Sequence, residues 1–152
     1  KKKLNIKATY HDPCYLGRYN GIYDDPRDVM QLCGIELVEM PRNKEKSFCC
    51  GAGGGQIWLP DHDDMTQRPS ENRIEEAVSV GVNNFTVACP KDMTMYADAA
   101  KTSGNEDNMA VKDIIDFVLE AMDFPKKVEE LEPILEEVVQ ESHETKPEEP
   151  TV

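Results

Sequence analysis

The sequence predicts an α/β fold: a mostly parallel sheet with flanking helices, and a cysteine site at the carboxyl ends of the strands. Three observations predict it. Short runs of β-branched and apolar residues alternate with segments of helical periodicity. Proline, glycine and Asp-Pro pairs punctuate the joins. Cys14, the Cys49–Cys50 pair and Cys89 each fall at or just beyond a strand end, where ligands collect in open α/β sheets.

The elements follow in order. "LNIKATYH", residues 4–11, reads as a buried strand stopped by "DP". "DDPRDVMQLCG", residues 24–34, is a helix with Asp25 as expected N-cap, Pro26 at its first position and Gly34 at its end. "IELVEMP", residues 35–41, is a second strand, followed by a cysteine–glycine loop. "SENRIEEAVSVG", residues 70–81, is a helix that Ser70 can cap, with Ile74, Ala77 and Val78 on one face. "NFTVACP", residues 84–90, is a third strand, and "DMTMYADAAK", residues 92–101, a helix. "MAV" suggests a fourth strand leading into a helix over residues 112–122.

Composition bounds the function. The 152 residues suit one domain able to bury its own core. A net charge of −13 repels phosphate backbones and anionic lipid, so nucleic-acid partners are not expected. No apolar run in this chain approaches the roughly 20 residues that span a bilayer. The expected organisation is a cysteine-rich domain at 1–124, an extension at 125–141 and an acidic, disordered tail at 142–152. The extension reads as an amphipathic helix or as a solvated acidic segment. The start at Lys1, without Met, suggests a piece of a longer protein. Five cysteines, an odd number, do not resemble a secreted disulfide framework and fit a reducing cytoplasm.

The loop "SFCCGAGGGQIW", residues 47–58, carries the chemistry. As a phosphate loop it fails the Walker pattern, because Gln56, Ile57 and Trp58 stand where Lys and Ser/Thr belong. A resting disulfide between adjacent cysteines is strained, although the pair leaves open a thiol–disulfide enzyme with a low thiol pKa. Metal ligation is the third reading: glycine lets the backbone turn sharply enough for neighbouring thiolates to converge, and thiolates suit soft metals and iron–sulfur clusters. Burial as small hydrophobes is the plain alternative. It suits Cys33, at a helix end, and suits Cys49 and Cys50 poorly, since the flanking glycines bury little.

Three segments together, "HDPCYLGRYNGIYDDPRDV", "FCCGAGGGQIW" and "VACPKDMTMYADA", resemble the cysteine-rich CCG domain of the heterodisulfide-reductase-like iron–sulfur proteins. That group includes heterodisulfide reductase catalytic subunits, the iron–sulfur subunits of glycolate, lactate and glycerol-3-phosphate oxidoreductases, and electron-transfer-flavoprotein:menaquinone oxidoreductases. The similarity runs over about residues 4–122 and looks closest to the C-terminal domain of the heterodisulfide-reductase D-like and flavoprotein–quinone branch. The resemblance implies cluster ligation by Cys14, Cys49, Cys50 and Cys89. The full five-cysteine set of the family binds a noncubane [4Fe–4S] cluster. Position 92, where the motif expects the fifth cysteine, holds Asp92. That residue reads either as an oxygen ligand, one turn from Cys89, or as the N-cap of the following helix. A conventional cluster, an oxygen-ligated variant, zinc and an empty site all stay open.

The resemblance further implies an electron-transfer part of an oxidoreductase. Its expected partners are a ferredoxin-like domain with cubane clusters, a second CCG domain and a flavoprotein, with a disulfide or quinone as acceptor. The expected place is the cytoplasm, at the inner membrane face through such partners. The competing reading is a zinc-bound or metal-free structural module that assembles a redox complex. Around the site, His11 reads as a satisfied strand-end histidine or a ligand-orienting group. Arg18 reads as a partner for an anionic cluster or for a surface acid. Trp58 reads as core, and His62 and His143 carry no case.

Overall fold

The computed structural model describes residues 2–60 and 65–123. The expected boundary at 124, the extension at 125–141, the tail at 142–152, His62 and His143 lie outside the described residues. Four strands, β1 (Ile6–Tyr10), β2 (Ile35–Leu37), β3 (Asn84–Val87) and β4 (Ala110–Asp113), alternate with four helices. The helices are α1 (Asp24–Leu32), α2 (Pro69–Ser79), α3 (Pro90–Thr102) and α4 (Ile114–Met122). The strands form one sheet in the order β2-β1-β3-β4, every pair parallel.

Side-chain alternation along the strands builds two cores. Ala8 and Tyr10 of β1 face Met30 of α1 and Phe117 and Ala121 of α4. Phe85 and Val87 of β3 face Ile74 and Ala77 of α2 and Tyr96, Ala99 and Ala100 of α3. The chain therefore leaves β1 toward one face of the sheet and β3 toward the other. Between these adjacent strands lies the switch point of the sheet, open at its carboxyl edge. Cys14 follows β1, Cys49 and Cys50 lie in the long connection after β2, and Cys89 follows β3.

Several boundaries differ from expectation for identifiable reasons. Helix α1 begins at Asp24 with Tyr23, not Asp25, at the N-cap position, and both aspartates lie in the first turn, where the helix dipole favours them. Gly34 does end this helix, at φ 82°. Ladder pairing of β2 stops at Leu37, although the Val38 N–H still reaches the Ala8 carbonyl at 2.9 Å. Helix α2 starts at Pro69, with extended Arg68 as its N-cap residue. Proline fixes that start and forces the residue before it out of the helix. Ser70 is therefore inside the first turn. The buried face of α2 is Ser70, Arg73, Ile74 and Ala77, while Val78 is partly exposed. Trp58, expected in the core, is 82% exposed. It ends a 3-10 segment kinked at Gly54 and Gly55, both at positive φ, in which Ile57 rather than Trp58 packs against the core.

Candidate metal centre

The segment "HDPC" leaves β1 under tight control. The Asp12 carboxylate accepts two N–H bonds from Arg27, at 2.7 and 2.9 Å, and one from the Lys44 backbone at 2.7 Å. Its main-chain carbonyl accepts the Ser47 hydroxyl at 3.0 Å. Arg27 in turn holds Glu39 at 2.6 Å. Arg18, from the turn after Cys14, donates to the Ser47 carbonyl at 3.0 Å. These bonds join the Cys14 segment to the chain two residues ahead of Cys49. Arg18 thus binds a carbonyl rather than the surface acid that was one expectation for it.

The cysteine pair is bent as its composition demands. Gly51 stands at φ 87°, a conformation costly for any side chain. Its N–H approaches the Cys49 sulfur at 3.4 Å, the kind of bond that tunes thiolate ligands. Cys49 is exposed, and Cys50 turns inward at 8% exposure against the α2/α3 core. Burial and the adjacent Asp92 push the Cys50 thiol well up. That shift counts against Cys50 as a reactive thiolate in the metal-free chain, because such chemistry needs a low pKa.

Asp92 is not the N-cap. Cys89 takes that position, Pro90 starts α3, and Asp92 sits in the third helical position at 3% exposure. Burial pushes its carboxyl up, and the neighbouring Cys50 and Cys89 thiols partly offset this. Its Oδ2 has no hydrogen-bond partner, and lies 3.6 Å from Nε2 of His11. The spacing of α3 explains the cluster: residues four apart share a helix face, so Asp92 and Tyr96 both meet His11, the residue directly after β1. The Tyr96 hydroxyl lies 3.2 Å from His11 Nδ1, and their rings pack edge to face at 4.8 Å.

The structure thus brings Cys50, Cys89 and Asp92 together, with His11 behind them. Cys49 is adjacent through the Gly51 turn, and Cys14 lies in the turn that follows β1, the strand beside β3. Among the described residues, no three His, Cys, Asp or Glu side chains converge on a single ion position. Cys33 is in the other core at 6% exposure, as expected. Sequence reasoning missed Tyr96 and Arg73, since a tyrosine and an arginine on helical patterns give no signal of burial against a site. Arg73 is fully buried, and its Nε and Nη2 have no partners.

His11 is held neutral: burial lowers its pKa well below the ordinary 6.5, and the charges of Arg73 and Arg18 push the same way. Below pH 6.5 the unfolded chain binds a proton that the folded chain does not. His11 therefore contributes stability that is full above pH 6.5 and lost as pH falls, by about 1.4 kcal/mol per unit. Asp92 acts with the opposite sign. The His11 share is read as the difference in urea-unfolding stability between metal-free wild type and His11→Asn. That difference should shrink from pH 7.5 to 5.5, and a constant difference contradicts a neutral His11.

The comparisons with known proteins show the family. The sequence model of the CCG cysteine-rich domain matches residues 8–94. The chain is 36% identical over 127 residues to the EtfAB:quinone oxidoreductase of Syntrophomonas wolfei, covering 80% of this chain and 18% of that protein. It is 37% identical over 120 residues to the probable iron-sulfur-binding oxidoreductase FadF of Bacillus subtilis, covering 78% and 17%. It is 37% identical over 127 residues to one polypeptide of the dihydromethanophenazine:CoB--CoM heterodisulfide reductase of Methanosarcina barkeri, covering 80% and 29%. The chain therefore spans less than a third of the length of these relatives. No solved structure matches it. With an all-parallel sheet and a family match over more than half its length, this chain belongs to the CCG cysteine-rich domain family.

Proposed function

We propose that this domain carries an iron–sulfur cluster, held by Cys14, Cys49, Cys50 and Cys89 with Asp92, as the electron-transfer part of a heterodisulfide-reductase-like oxidoreductase. The observation that carries the reading is the buried Asp92 carboxyl beside the Cys50 and Cys89 thiols, with an orphaned Oδ2. A buried carboxyl without a full set of partners is costly, and a metal ion would complete it. The spread of the donors suits a group with several metal atoms better than one tetrahedral ion.

When bound, such a cluster supplies a one-electron relay at a potential set by its ligands, N–H···S bonds and burial. The chain's own residues do the rest. Gly51 directs one N–H to a ligand sulfur. The Asp12–Arg27 pair holds the Cys14 turn against the approach to Cys49. His11 and Tyr96 close the site from within, and the buried core behind Cys50 excludes water.

The names of the relatives support a redox complex as the setting. The partners we propose are a ferredoxin-like cubane-cluster domain, a second CCG domain and a flavoprotein, with a disulfide or quinone as acceptor. Tyr15, directly after Cys14, and Trp58, beyond the glycine run, are 74% and 82% exposed and offer apolar surface to a partner. No helix among the described residues is long and apolar enough to cross a membrane. A place at the inner membrane face would come through partners.

The carboxyl at position 92 also favours a second reading, a zinc-bound structural module, because zinc accepts Cys and Asp together. Anaerobic purification separates the two. Iron with acid-labile sulfide and an EPR signal on reduction support the cluster. A colourless protein with about one zinc and no sulfide sinks it. If Asp92 is a ligand, Asp92→Cys alters the absorption and EPR spectra of the loaded protein; identical spectra would exclude it.

A further inference from the structure

The chain as a whole is strongly acidic, at −13, yet Arg18 and Arg42 flank the approach to the cysteine pair, at the Ser47 carbonyl and the Phe48 ring. Arg73 is a third, buried arginine. It lies on the buried face of α2 between Ser70, Ile74 and Ala77, with no solvent exposure. Only its Nη1 has a partner, the Glu76 carboxylate at 2.9 Å. Glu76 is shared: Arg42 binds it through Nε at 2.7 Å and through its backbone N–H at 2.8 Å. Arg42 also stacks at 4.2 Å over Phe48, the residue before Cys49. Two guanidinium groups thus divide one carboxylate, leaving positive charge in excess beside the cysteine loop.

The remaining Arg73 donors, Nε–H and Nη2–H, are buried with nothing to bind. A half-satisfied buried guanidinium is expensive. Nor is Arg73 alone. The Ser70 hydroxyl on the same face and the Gln56 amide nitrogen in the glycine loop are also buried without partners. Arg73 acts electrostatically on both His11 and Tyr96, the two residues packed behind Asp92. The helix face that carries Arg73 and Ser70 packs, through Ile74 and Ala77, into the same core as Cys50 and Tyr96, so these orphaned donors lie in surroundings suited to an anion with many acceptor sites.

Resting on the cluster reading above, we infer that Arg73 is a positioning residue for the bound group. Its free N–H donors and charge compensate the negative sulfur centre and raise its reduction potential. Hydrogen bonding and nearby charge are two of the levers by which a protein sets such a potential. Arg73 is distinct from the ligands, and the metal-free chain bears the cost of keeping it unpaired.

The test uses the full chain, reconstituted anaerobically with iron and sulfide, as wild type, Arg73→Met and Arg73→Lys. Three quantities are read: iron and sulfide content, midpoint potential by EPR-monitored titration, and the thermal midpoint of the metal-free form. Removing the charge should favour the oxidised state about tenfold, a shift of about 59 mV to lower potential for one electron. Arg73→Lys should recover most of that shift. Metal-free Arg73→Met should be no less stable than wild type, because a costly buried cation is gone. Failure of Arg73→Met to load while its metal-free form stays folded also supports the role. An unchanged potential at full loading overturns this inference alone, as does loss of metal-free stability in Arg73→Met, which marks a structural residue. A wild type that takes up no iron and sulfide overturns the proposed function and this inference with it.

Discussion

Cys50→Ser is expected to abolish iron and sulfide incorporation, while Cys33→Ser leaves it at the wild-type level. The two thiols are almost equally buried, at 8% and 6% exposure, so burial does not distinguish them. Their surroundings do. Cys33 caps the end of α1 and packs with Met30, Ile35 and Ala121, far in the fold from any strand's carboxyl end. Cys50 follows the exposed Cys49, precedes the Gly51 turn and lies against the Asp92 carboxyl. A serine hydroxyl at position 50 keeps the volume but supplies no soft anionic ligand. Because burial raises the Cys50 pKa, ligation must displace a tightly held proton, and uptake by the metal-free chain should quicken as pH rises. Equal iron in wild type and Cys50→Ser would refute the site.

Asp12→Ala should cost about 3–5 kcal/mol of stability in the metal-free chain, the usual loss when one partner of a buried ion pair is removed. Asp12 and Arg27 side chains are 1% and 11% exposed, so solvent screens the pair little. The substitution frees both bonds to Arg27 and the one from the Lys44 N–H. Arg27 keeps Glu39, which limits the damage to its own environment. The Lys44 end of the Lys44–Ser47 segment loses its bond to residue 12, while the Ser47 hydroxyl keeps the carbonyl there, so cluster loading should fall along with stability. Urea unfolding measures the first effect and iron analysis the second. A loss under about 1 kcal/mol would show that the pair contributes like a surface bridge. A double-mutant cycle with Arg27→Met isolates their coupling.

Much of the fold was legible locally. Short β-branched and apolar runs located the four strands, and alternation with helices implied a parallel sheet. The Gly34 stop of α1 was readable because only glycine takes that backbone conformation cheaply. Helix starts were less legible. Asp25 and Ser70 are good caps by type, but Pro69 fixed the start of α2 one residue earlier, and Ser70 became part of a buried face. Trp58 shows the converse: an apolar side chain does not ensure burial when its neighbour, here Ile57, takes the inward side of the loop.

By itself the sequence determined the class of fold and the glycine bend after the cysteine pair, because each depends on residue type and spacing along the chain. Only the tertiary structure decided where Asp92 stands, since that turns on which face of α3 meets His11, the residue after β1. The same holds for Arg73. A charged residue in a helical sequence reads as solvent-facing, and only the packing of α2 against α3 and the sheet encloses it with donors unpaired. Helix phase is local, but burial is a property of the neighbours that long-range packing brings.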